Sequence, residues 1–121
     1  MTLSTRQLLT LKSGYKPRSK FRNIPTEVDG VRFASRAEAR RYGELKLLER
    51  AGEILQLEMQ PKYELMVNGI RVGRYTGDFR YVEKGATVVE DVKSKASKTE
   101  AYGVRKRLML AVHGIEIREL A

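Results

Sequence analysis

The residues that could do chemistry lie in GDFRYVEKGATVVEDVKSK, residues 77–95. This stretch reads as two short strands around a tight turn, with Asp78, Asp91 and Lys93 where a small protein normally places apolar side chains. Strand side chains alternate with period two, so Asp91 and Lys93 share one face and Val88, Glu90 and Val92 the other. A two-residue loop at Lys84-Gly85 sets Glu83 opposite Ala86 and Asp78 opposite Asp91. Opposed carboxylates have Cβ atoms about 4.5–5.5 Å apart and repel, so the pair needs a compensating cation. A divalent ion such as Mg²⁺ takes oxygen ligands from one or two carboxylates and keeps water for the rest. Lys93 would then flank the cation or a substrate phosphate. A three-residue loop or a bulge would change the pairing and let Glu90 replace Asp91.

The elements that must position these groups are legible on either side. SRAEARRYGELKLLERAG reads as a helix, with Ser35 and Glu38 at capping-box spacing and Gly52 as its stop. At 100° per residue Ala37, Tyr42, Leu45 and Leu48 form one apolar arc, and Glu38 lies inside it. Glu38 is either the reciprocal partner of Ser35 or a third carboxylate at the site. Upstream, EVDGVRF carries an Asp29-Gly30 turn signal and a short strand into Phe33. Residues 53–95 read as a run of strands, with Leu55, Leu57 and Met59 alternating, then Tyr63, Leu65 and Val67. Asn68-Gly69 marks a hairpin. Ser97 and Glu100 suggest a second capping box and a helix from near Ser97. Tyr102, Arg105, Leu108, Met109 and Val112 carry its period and Gly114 ends it. IEIREL supplies a last strand, which can lie parallel to the others after the helix. The fold class is α/β: helix, central mixed sheet with an antiparallel hairpin, helix, strand.

Composition limits the chemistry. The 121 residues include no cysteine and one histidine, His113, which excludes disulfides, cysteine-bound zinc and His-rich metal sites within one chain. His113 reads as a surface residue at a helix end. Tyr63, Phe79 and Tyr81 read as core or half-buried sheet residues. No signal peptide or spanning segment is apparent, so the expected location is cytoplasmic, with no membrane partner. Twenty-four Lys and Arg stand against 15 Asp and Glu, a formal charge of +9 that favours polyanions. Residues 1–25 read as a basic arm holding Arg18, Lys20 and Arg22, and 26–121 as one domain. A second basic cluster follows Lys93, with Lys95, Lys98, Arg105 and Lys106. Two one-sided clusters point to nucleic acid.

Asp78 followed by Asp91-Val92-Lys93 resembles the PD-(D/E)xK nuclease motif, and Glu38 completes the form seen in archaeal-type Holliday junction resolvases. The chain is most similar to small phage and prophage Holliday-junction-resolvase-like endonucleases. Their pattern is matched here by DGVRFASRAEA, Gln60-Pro61-Lys62, Asp78-Phe79-Arg80-Tyr81 and Glu90-Asp91-Val92-Lys93. Glycine rather than proline precedes Asp78, and Asp91 stands where glutamate is commoner. The resemblance implies a restriction-endonuclease-like core and Mg²⁺, or Mn²⁺ in its place, on Asp78, Asp91, Glu38 and the Val92 carbonyl. Lys93 would orient the attacking water and stabilise charge on the phosphate, with Gln60 reaching toward the same site. No small-molecule cofactor is implied. The expected substrate is branched or double-stranded DNA, above all Holliday junctions, cut by a homodimer in a bacterial host cell. A nuclease for forks, transposon ends or restriction sites, an inactive DNA-binding module and a basic RNA-binding protein are the competing readings.

Overall fold

The computed structural model describes residues 26–121. The basic arm, with Arg18, Lys20 and Arg22, lies outside the described residues. Strands β1 (Thr26–Val28) and β2 (Val31–Phe33) form a small hairpin. Helix α1 (Arg36–Arg50) follows, then β3 (Leu55–Met59), β4 (Lys62–Val67), β5 (Ile70–Thr76), β6 (Phe79–Glu83) and β7 (Ala86–Val92). A short 3₁₀ turn (Lys95–Ser97), helix α2 (Glu100–His113) and β8 (Arg118–Leu120) complete the order. The fold is α/β, with helix, sheet, helix and strand in the expected succession.

The central sheet runs β3-β6-β7-β8, and β4 pairs only with β5 in a separate hairpin. Strand β7 is antiparallel to β6 and parallel to β8. The β6–β7 turn is the expected two-residue loop, with Glu83 opposite Ala86 and Phe79 opposite Glu90. Three hairpins share one turn geometry: Asp29-Gly30, Asn68-Gly69 and Lys84-Gly85 all have positive φ at both central residues. That pattern matches the right-handed twist of the flanking strands.

Each face of the sheet has its own core. On one face Tyr42 and Leu45 of α1 pack with Phe33, Ile54, Phe79 and Tyr81. On the other, Met109 and Tyr102 of α2 pack with Leu65, Tyr75, Val89 and Ile117. Complete burial of Leu45 is worth about 1.5–3 kcal/mol relative to exposure, which fixes α1 on the sheet.

Four local expectations are corrected. The buried alanine of α1 is Ala39, while Ala37 is only half-buried. Helix α2 is capped not by Ser97 but by Thr99, whose hydroxyl accepts the Tyr102 amide at 3.1 Å; the 3₁₀ turn occupies Ser97. The alternation of Leu55, Leu57 and Met59 does not produce an apolar face. Gln56 has φ of 57°, the register shifts between Leu55 and Glu58, and Leu55 is 58% exposed. The run of strands is not one sheet, because β4–β5 leaves it to pack under α2.

Candidate metal and phosphodiester site

Asp78 precedes β6 by one residue, and its amide donates to the Glu90 carbonyl at 3.0 Å, one residue out of the register that pairs Phe79 with Glu90. The ladder stops at Phe79 and Glu90, so the expected backbone pairing of Asp78 with Asp91 is not formed, but the two carboxylates meet through their side chains. On its other side the Asp78 carbonyl accepts the Gln60 amide at 2.9 Å. Gln60 has φ of 53° and is exposed, so its backbone, rather than a demonstrated side-chain contact, joins the site. The Asp78 carboxylate is fixed as well, with Oδ2 accepting the Val92 amide at 2.7 Å.

Asp91 is 3% exposed. Its Oδ2 accepts the Tyr75 hydroxyl. Burial, opposed by the Tyr75 bond and reinforced by the Asp78 charge, pushes its carboxyl up to about 7. Burial also raises Asp78, against the Val92 amide. Glu38 enters from the first turn of α1. Ser35 caps that turn by accepting the Glu38 amide at 3.2 Å. The Glu38 carboxylate does not return the bond to Ser35; the Ala34 amide is its backbone partner. Burial and the Asp78 charge push Glu38 up to about 7, while Lys93 and Ala34 oppose the shift. Glu38, Asp78, Asp91 and Lys93 therefore act on one another electrostatically.

Lys93 follows β7. Its amide donates to the Leu120 carbonyl at 2.7 Å, and its ammonium stands over the Tyr102 ring, 4.6 Å from the centroid. Among the described residues no three His, Cys, Asp or Glu side chains form a ready-made metal cage. The donor set still suits a hard cation: two or three carboxylates, no nitrogen or sulfur, and proton affinities raised by burial and mutual repulsion.

The arginines near Asp78 along the chain pair with other acids, Arg80 with Glu58 and Arg74 with Glu64 at 3.5 Å. Of the basic candidates, Arg105 is exposed. Lys98 and Lys106 are exposed or half-buried and pair with Glu119 at 3.1 and 3.2 Å. Lys95 opens the 3₁₀ turn two residues after Lys93. His113 is exposed, with Nε2 2.9 Å from the Glu64 carbonyl.

Further residues around the site take places that the sequence did not assign them. Glu90 is wholly buried on the α1 face, where Arg41 grips both oxygens: Nε to Oε1 at 2.8 Å and Nη2 to Oε2 at 2.6 Å. The Tyr81 hydroxyl donates to the same carboxylate, and Arg118 donates to that hydroxyl at 3.0 Å. Tyr75, Tyr102 and Glu119 surround Asp91 and Lys93. Their only sequence signal is a tyrosine facing the core on a strand or helix beside an acidic residue, which is too common to select them.

The model of a family described as a protein of unknown function, DUF1064, matches residues 18–118. The chain belongs to the DUF1064 family. The matched span includes every residue of the constellation, from Glu38 to Lys93, and ends at the first residue of β8. No curated protein and no solved structure matches this DUF1064 chain. No helix among its described residues is long and apolar enough to cross a membrane.

Proposed function

We propose that this protein is a Mg²⁺-dependent DNA endonuclease that hydrolyses phosphodiesters in branched DNA, with Holliday junctions as its main substrate. The observation that supports the reading is the meeting of the Asp78 carboxylate with a buried Asp91, beside Glu38 and Lys93. Burial raises the proton affinity of both carboxylates, and the Asp78 charge raises that of Asp91 further, a cost that a bound cation would relieve. Asp78 and Asp91 would hold the ion, with Glu38 and the Val92 carbonyl as further oxygen donors. A bound divalent ion supplies charge neutralisation of the phosphate and activation of water.

The remaining work falls to the chain itself. Lys93 extends a strongly hydrated point charge from the end of β7, suited to orienting water and to opposing charge on the phosphate. Glu38, with proton affinity near neutrality, can hold or release a proton beside it. Lys95, Lys98, Arg105 and Lys106 follow Lys93 in sequence and would neutralise neighbouring phosphates. Because a junction is cut on two strands, we assign the active species as a homodimer, checked by light scattering.

The test is a cleavage panel of labelled four-way junction, fork, duplex and single strand, with and without Mg²⁺. Junction cutting by wild type that drops at least about 100-fold in Asp91→Asn supports the reading. Cutting that Asp91→Asn leaves intact sinks it. Equal cutting of duplex and junction retains the nuclease and removes the junction assignment. DNA binding without cutting by any metal-loaded sample points instead to an inactive binding module.

A further inference from the structure

Lys93 is one strand repeat from Asp91 and shares its face with Asp78, yet it bridges neither carboxylate within salt-bridge distance among the described residues. Its ammonium rests over Tyr102, 4.6 Å from the ring centroid. A cation over an aromatic face is held by the ring's negative quadrupole, by about 0.5–2 kcal/mol depending on solvation.

The ring is itself held from both ends. The Tyr102 amide is capped by Thr99, and its hydroxyl donates to Glu119 Oε2 at 2.8 Å. Glu119 also receives Lys98 on Oε1 at 3.1 Å and Lys106 on Oε2 at 3.2 Å. These donors, Tyr102 first, keep Glu119 ionised. A phenol that donates to a carboxylate carries more negative charge on its ring, so the same bond both pins the ring and strengthens its hold on a cation. The neighbouring β7–β8 pairing aligns Glu119 with Asp91, which ties this anchor to the strand that bears the site.

We infer that Tyr102, held by Glu119, is the positioning residue for Lys93: its ring keeps the ammonium from closing onto Asp78 and Asp91. This rests on the nuclease reading for its purpose, though not for its geometry. Left alone, a lysine beside two buried carboxylates pairs with them and competes for the place of a divalent ion. Parked on the ring, it leaves the carboxylates free and remains available to a phosphate.

The experiment uses the full chain and three variants, Tyr102→Leu, Tyr102→Phe and Glu119→Gln. First, Lys93 ε-methylene protons are assigned by NMR without metal or DNA. The ring current shifts them upfield in wild type, and the shift is expected to vanish in Tyr102→Leu and to fall in Tyr102→Phe and Glu119→Gln. Second, Mg²⁺ is titrated by calorimetry, with affinity expected to fall about tenfold in Tyr102→Leu as the freed ammonium occupies the carboxylates. Third, single-turnover cleavage of a four-way junction at saturating DNA is expected to fall about 100-fold in Tyr102→Leu, with DNA affinity unchanged.

Lys93 shifts that match wild type in every variant overturn the placement. A lost shift with unchanged Mg²⁺ affinity and cleavage overturns the positioning role. If Tyr102→Leu fails to fold, Tyr102→Phe and Glu119→Gln decide, because both retain the core volume at position 102. Wild type that cuts no DNA, while the shift and Mg²⁺ titrations behave as expected, refutes the nuclease and supports the positioning.

Discussion

Tyr75 occupies the space that a side chain at Gly77 would need. A Cβ added at Gly77 would lie 2.9 Å from Val89 Cγ1 and 3.2 Å from the Tyr75 ring. The glycine before Asp78 thus leaves room for a tyrosine whose hydroxyl reaches Asp91. We expect Gly77→Ala to destabilise the protein by about 1–3 kcal/mol, as overpacking does. Urea denaturation would measure it, and Val89→Ala in the same chain should recover part of the loss.

Arg41 and Glu90 pair a half-buried guanidinium with a wholly buried carboxylate, whose partners are not interchangeable with water. Removing Arg41 leaves a carboxylate of no solvent exposure with only the Tyr81 hydroxyl as a close donor. Arg41→Met is expected to cost about 3–5 kcal/mol, since breaking one side of such a pair strands the other charge. A double variant, Arg41→Met with Glu90→Gln, should recover much of that loss in thermal denaturation.

The site predicts an unusual pH profile. Glu38 and Asp91 are each pushed up to about 7, above ordinary carboxylate values near 4. Between those limits the folded protein binds more protons than the unfolded chain, so stability falls as pH rises from about 4 to 7. Glu119 works oppositely: pulled down to about 2 by Tyr102 and two lysines, its contribution is present above about 4 and lost as pH falls toward 2. Metal-free protein should therefore melt highest in mildly acidic buffer. Asp91→Asn should melt above wild type at pH 8 and no higher at pH 5. Mg²⁺ should flatten the wild-type decline.

Lys84 adopts φ of 51° in the turn that sets the β6–β7 pairing. Left-handed backbone is unfavourable for lysine, whereas asparagine tolerates it. Lys84→Asn is expected to stabilise the fold by about 0.5–1 kcal/mol, read as a raised urea midpoint with unchanged slope.

Much of the site could be read by counting. The Lys84-Gly85 loop fixes the pairing of β6 with β7 as far as Phe79 and Glu90, but the off-register bond from the Asp78 amide to Glu90 is beyond such a count. Glu38 was visible as a charge within an apolar arc. The failures share a cause. Glu90 sat correctly among Val88 and Val92, but its counter-charge, Arg41, lies 49 residues away on a helix, and no local pattern links them. The apolar alternation of β3 was real in sequence but broken by a bulge at Gln56. Ser97 and Thr99 are both competent caps, and only the packing of α2 chooses between them. Tyr75 and Tyr102 are defined by what they touch, which spacing along the chain does not encode.

The Arg41–Glu90 pair has a consequence for which residues reach the site at all. Strand β7 offers Glu90 and Asp91 in succession, and either could serve as a metal ligand. A slip of one position would turn the strand over, exchanging the two carboxylates between faces. It would present Glu90 to Asp78 and leave Asp91, one methylene shorter, facing Arg41 across the core. The forked guanidinium is satisfied by the longer carboxylate in one alignment only. Arg41 therefore works as a fidelity check on folding: from the far side of the sheet, it selects which of two adjacent acids faces Asp78 and Tyr75.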